Sequence, residues 1–132
     1  MADPVFRLAC APSALLDAPP EWTRELLADG ELALLPGSSD LATVSEIAHR
    51  LDAVSVPVLR GEASPDAQAD TVVAWAGSMP LVWIDAAFPD RARAWAGERG
   101  PMTLLVECDG TLPEAEQRRI ARFAATLGRQ SE

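Results

Sequence analysis

Pro80-Leu81-Val82-Trp83-Ile84-Asp85-Ala86-Ala87-Phe88-Pro89 is the stretch whose reading decides the fold. Leu81 to Ile84 are apolar without alternation. A short run that is apolar on both faces reads as a strand covered on both sides, the ordinary state of a central parallel strand. Asp85 stands near its carboxyl end, and Pro89-Asp90 opens a helical stretch that reaches Glu98 and stops at Gly100.

Outward toward the C-terminus, Pro101 to Glu107 reads as a further strand. Thr111-Leu112-Pro113-Glu114 has the spacing of a capping box. The helix it opens runs to Gly128, with Leu112, Ile120, Phe123, Ala124 and Leu127 facing inward.

Toward the N-terminus, Ser64-Pro65-Asp66 places a cap, a first-turn proline and an acid in the order a helix start requires. Val72, Val73 and Ala76 are its buried candidates and Gly77 its end. Val54 to Leu59 reads as a third strand, weakest at Pro57, which has no N–H to give a ladder. Leu41, Val44, Ile47, Ala48 and Leu51 form an amphipathic stripe on a helix capped by Ser39 or Asp40. Leu32 to Leu35 is a short second strand. A helix begins at Pro19-Pro20, carries Trp22, Leu26 and Leu27 on one face and stops at Gly30. Val5 to Cys10 is the first strand, ended by Ala11-Pro12-Ser13.

Strand followed by helix, five times over, predicts an α/β fold. The expectation is a three-layer α/β/α sandwich of residues 1–132 as one domain, with a five-stranded, mostly parallel sheet in the flavodoxin-like order 2-1-3-4-5. A ferredoxin-like α+β fold is the alternative if the Pro57 strand fails.

The composition excludes more than it assigns. The chain of 132 residues has a formal charge of −9, and all eleven of its basic residues are Arg. So acidic a chain repels phosphate backbones and anionic lipid heads, so neither nucleic acid nor membrane is an expected partner. The absence of Lys, Asn and Tyr, whose codons are AT-rich, points to a GC-rich bacterial genome. It also removes any P-loop lysine or Schiff base. No Gly-rich dinucleotide fingerprint is present, and no cofactor is expected. The opening residues lack the pattern of a signal peptide, and a cytoplasmic location is expected. Cys10 and Cys108 do not have the spacing of metal ligands. The lone His49, late in its helix, has no Ser or Cys placed for a triad.

In parallel sheets of this kind, ligands sit beyond the carboxyl ends of the strands. Those ends supply Cys10 and Ser13, Arg60 and Glu62, Asp85, and Glu107 and Asp109. The four carboxylates could form an acidic rim able to hold Mg²⁺, although soluble residues and an Asp-Gly turn are also what an exposed edge requires. A second candidate is a partner surface on the last two predicted helices, which gather Arg91, Arg93, Trp95, Arg118, Arg119 and Arg122. Arg and Trp are the residue types that recur at interface hot spots. Helical Arg spaced from Glu98, Glu114 and Glu116 also suits ordinary pairing on a solvated face.

Three resemblances attach to these residues. Val106-Glu107-Cys108-Asp109-Gly110-Thr111-Leu112 is similar to the first motif of the haloacid-dehalogenase phosphatases, but the nucleophilic first Asp is Glu107 and the chain after Leu112 is too short for the later motifs. Cys10-Ala11-Pro12-Ser13 faintly resembles the phosphocysteine loops of sugar-transport IIB proteins and low-molecular-weight phosphatases, without their glycines or trailing Arg.

The broadest resemblance is to response-regulator receiver domains. Pro80 to Ala86 with Asp90, Arg91 and Arg93 looks like the receiver's fourth strand and helix. Leu104 to Glu107 with Pro113, Glu114 and Ile120 looks like its fifth strand and last helix. In that alignment the acidic pair falls near Cys10-Ala11, the phospho-acceptor near Leu59-Arg60, the switch Ser/Thr at Asp85 and the essential Lys at Glu107. The resemblance implies a pseudo-receiver, the scaffold without its phosphoryl chemistry.

The reading that follows is a non-enzymatic interaction or regulatory module, meeting a protein partner or a second copy through its last two helices. The alternatives are a protein that binds a small ligand or nucleotide at the strand ends, and a Mg-dependent hydrolase using Asp85, Glu107 and Asp109.

Overall fold

The computed structural model describes residues 4–16, 18–36, 41–54 and 56–130. Among these, four strands form one sheet: β1 (Phe6–Cys10), β2 (Gly30–Leu34), β3 (Leu81–Asp85) and β4 (Thr103–Glu107). Its order is β2-β1-β3-β4, and every pair is parallel. The helices are α1 (Pro12–Leu16), α2 (Pro20–Leu27), α3 (Leu41–Arg50), α4 (Pro65–Ala76), α5 (Asp90–Arg99) and α6 (Glu114–Gln130).

The apolar run at 81–84 behaves as its sequence demands. β3 lies inside the sheet, between β1 and β4, and Leu81, Val82, Trp83 and Ile84 are all buried. Alternate residues feed two cores. Phe6, Leu8, Leu34, Val82, Ile84 and Val106 face one layer, under α2, α3 and α6. Ala9, Leu81 and Trp83 face the other, against Val72 and Ala76 of α4 and Ala92 of α5. Helices therefore cover both faces, as expected. The Phe88 and Trp83 rings meet edge to face in the second core, at a centroid distance of 5.2 Å.

Local rules explain most element starts. Ser64 caps α4 by accepting the Ala67 N–H at 3.1 Å, and Pro65 follows at the first helical position. Gly77 ends α4 at a φ of 59°, a conformation that a side chain would strain. Arg7 ties β1 to the same helix end. Its Nε donates to Glu31 at 3.0 Å, its Nη1 donates to the Trp75 carbonyl, and its guanidinium lies 5.4 Å from the Trp75 ring centroid.

The five-stranded sheet in the order 2-1-3-4-5 is corrected. The described residues of 54–59 do not pair with β1. Among the described residues of that stretch only Val58 forms a bridge, and it bridges Leu34 on the outer side of β2. Leu34 donates its N–H to Pro57 at 2.9 Å and accepts that of Leu59 at 2.8 Å. The place beside β1 belongs to β3. Pro57 accounts for the brevity of the contact, because a residue without an N–H is tolerated only at the margin of a ladder.

Smaller corrections follow the same logic. The first strand does end before Ala11-Pro12-Ser13, and Pro12 and Ser13 also open α1, a helix the sequence did not announce. Gly128 does not stop α6, which continues to Gln130. Ser39 and Asp40, expected to cap α3, lie outside the described residues. Gly30 does not end α2, which stops at Leu27; it opens β2 opposite Phe6, where a Cβ would stand 2.5 Å from the Phe6 ring.

Candidate functional site

The chain passes from β1 outward to β2 and then returns across β1 to β3. That reversal opens a crevice at the carboxyl ends of the strands, the place where such sheets bind ligands. A hollow of about 320 Å³ lies there, lined by Ala11, Pro12, Pro36, Glu62, Gln68 and Asp85 among others.

Gln68 shapes the wall of this hollow. Its side-chain oxygen accepts the Glu62 N–H and its amide donates to the Arg60 carbonyl, both at 2.9 Å. The clamp holds residues 60–62 against the second turn of α4. Arg60 then pairs with Glu62, and the guanidinium hydrogen bond holds the Glu62 carboxyl below its usual range despite an opposing desolvation. Asp85 behaves in the opposite way. Partial burial at the end of β3 pushes its carboxyl up, and a hydrogen bond from the Ala86 N–H at 2.7 Å only partly offsets this.

The chemistry of the hollow is that of an acidic pocket. Anions are poorly served: α1 starts at Pro12, which has no N–H, and Arg60 is already engaged by Glu62. A small cationic group is the ligand class that the lining suits.

The rim expected from the sequence is therefore divided. Glu62 and Asp85 share the hollow. Cys10 lies at the end of β1 but is wholly buried in the core, and burial pushes its thiol far up, so it is inert. Ser13 is half-buried on α1. Arg60 extends into solvent. Glu107 lies beside Asp85 in the sheet register but is exposed and bound to Arg93 at 3.2 Å. Asp109 is exposed in the turn beyond β4. Both cysteines are free, and among the described residues no three His, Cys, Asp or Glu side chains come together as metal ligands.

The second candidate surface lies at the other end of the sheet. α5 packs on one face and α6 on the opposite one, so the two Arg-bearing helices border the same open edge of β4. Arg91 pairs with Asp70 at 2.6 Å, Arg118 with Glu114 at 3.1 Å and Arg119 with Glu116 at 3.2 Å. Arg93 also lies over the Phe88 ring. Trp95 is half-buried against the second core, with the Arg99 guanidinium 4.5 Å from its ring centroid. Arg122 has no ion-pair partner among the described residues.

Between β4 and α6 runs a groove of about 490 Å³, lined by Met102, Leu104, Phe123 and Leu127 and bordered by Arg119 and Arg122. Comparison with models of known families, with curated proteins and with solved structures finds no match. Among the described residues, no helix is long and apolar enough to cross a membrane.

Sequence reasoning missed Gln68 and the groove. A Gln four residues after the cap Ser64 is well placed to reach back over the preceding loop, which is a local signal. The groove had none, because it joins residues from two elements.

Proposed function

We propose that this chain is a non-enzymatic interaction module that docks a protein partner through the surface around β4, α5 and α6. One observation carries the reading. The Arg-rich segments, separated in sequence, become the two borders of a single open sheet edge with an apolar groove beside it. Guanidiniums around an apolar centre are how interface anchors are commonly arranged. The buried Cys10 and the engaged Arg60 and Glu107 leave the strand ends with little to drive a reaction.

The pseudo-receiver form of this reading rests on β3, α5, β4 and α6 alone. The segment that would carry an acceptor carboxylate, near Leu59-Arg60, lies outside β2. A regulatory role would then be exercised through docking and not through phosphoryl transfer.

The test is affinity capture with the purified chain, comparing wild type, Arg91→Glu with Arg118→Glu, and Asp85→Asn. A protein retained by the wild type and by Asp85→Asn, but lost from the double variant, is the expected result. A retained set that is the same for all three would overturn the reading.

The hollow at the strand ends favours a second reading, a small cationic ligand held by Asp85 and Glu62. A thermal-shift screen of amines would then show a rise in melting temperature that Asp85→Asn removes, since a ligand bound only to the folded state must raise it. No rise with any amine would end this alternative.

A further inference from the structure

Unpaired strand edges are hazards that folded chains ordinarily blunt with a proline, a bulge, an inward charge or a covering segment. The two edges of this sheet are treated differently. Residues 57–59 cover the carboxyl end of β2, and Pro57 lies within that cover. Among the described residues, β4 has no such device. Its five residues, Thr103-Leu104-Leu105-Val106-Glu107, contain no proline, and their only charge stands at the end.

The unused hydrogen-bonding groups of β4 can be named. Cys108 donates its N–H to the Asp85 carbonyl at 2.8 Å. By strand alternation Val106 and Leu104 also turn theirs toward β3, so Leu105 and Glu107 turn theirs outward. Beside them lies the groove of Met102, Leu104, Phe123 and Leu127, with Met102 38% exposed.

Charge selects the occupant. α6 runs back along β4, since residues 119–127 lie beside 101–104. Arg119 and Arg122 border the groove. Glu116, one helical turn before Arg119 and paired with it at 3.2 Å, precedes them, so the helix runs acidic first and basic after. When two copies meet edge to edge about a two-fold axis, the β4 strands run antiparallel and so do the α6 helices. Glu116 of each copy then approaches Arg122 of the other. The chain's charge of −9 opposes self-association elsewhere, so a self-complementary stripe at this edge is what permits it.

Resting on the reading of this region as a partner surface, we propose that β4 pairs with β4 of a second copy. The two four-stranded sheets become one continuous sheet, and the two grooves close on each other. The interface is isologous and uses both open edges, so assembly stops at two.

Sedimentation velocity over a wide concentration range tests this, with amide hydrogen exchange on the same samples. Wild type sediments as a dimer with slow exchange at Leu105 and Glu107. Arg122→Glu weakens the dimer at least about tenfold, because the reversed charge occurs twice across a two-fold interface. Adding Glu116→Arg to Arg122→Glu restores it. Leu105→Pro removes an outward N–H and gives a monomer; should that variant fail to fold, the exposed Arg122 still decides the matter.

A monomeric wild type overturns the inference, as does a dimer indifferent to Arg122→Glu. A wild type that is monomeric alone, but whose Leu105 and Glu107 amides slow on adding a different protein, assigns the edge to that protein and also overturns it. A monomeric wild type whose captured partner is lost from the Arg91→Glu, Arg118→Glu variant sinks self-pairing and leaves the interaction reading standing. No partner and no dimer sink both.

Discussion

The two margins of the sheet show how differently one chain can finish the same structure. At β2 the carboxyl end of the margin is covered by a short segment of the chain's own backbone, joined at Leu34. At β4 no segment covers it among the described residues, and the burial there comes from α5 and α6 laid across opposite faces. The β2 side is closed by main-chain hydrogen bonds and a proline. The β4 side is stabilised by side chains, and its backbone is left open.

That contrast predicts unequal sensitivities. Ile120 is fully buried and is α6's central anchor on the first core, so Ile120→Ala should cost about 2–5 kcal/mol in urea unfolding. Val56, buried in the first core just before the covering segment, is smaller, and Val56→Ala should cost about 1–2 kcal/mol. Equal costs would show that the two margins are held alike.

The ends of the strands sharpen the comparison through pH. Asp85 has a raised folded-state pKa, so the folded chain holds that proton more tightly than the unfolded one. The stability this provides is present below the ordinary aspartate range and is lost as pH rises through the raised value. Asp85→Asn, which keeps the acceptor for Ala86, should therefore raise the melting temperature at neutral pH and not in acid. Glu62, with its pKa lowered by Arg60, has the opposite sign: its contribution is present above the ordinary glutamate range and is lost as pH falls through the lowered value. A gain for Asp85→Asn that persists in acid would mean the effect is not one of ionisation.

The smallest effect belongs to the cover itself. Pro57→Ala should destabilise by only about 0.4–1 kcal/mol, through the greater freedom of the unfolded chain. Its Leu34 bond uses the carbonyl, which alanine keeps. A loss several times larger would mean that the ring, and not the backbone, closes that side.

Much of this was legible in the sequence because the deciding signals are local. The unbroken apolar run at 81–84 marked the inner strand. Ser64-Pro65-Asp66 marked a helix start, and the stripe from Leu112 to Leu127 marked the buried side of α6. What failed was pairing at a distance. Val54 to Leu59 has strand-like composition, yet Val54 is fully exposed, and nothing within the segment states which strand it will meet. Pro57 was the only hint that it belonged at a margin. The candidate sites divide in the same way. Asp85 and Glu62 could be placed at strand ends by counting elements. Their sharing of one hollow, through a loop clamped by Gln68, could not. Nor could the flanking of one edge by α5 and α6, since the faces they occupy follow from the topology as a whole.

Phe6 rests its ring in the space left by the missing side chain at Gly30. If β2 slid one position along β1, the ring would be offered Asp29 or Glu31 instead of an empty notch. The first two strands thus fit like a peg in its hole, and their alignment is dictated by an absence. A single added methyl at Gly30 would therefore do more than crowd a neighbour; it would remove the mark by which the chain finds its own registration.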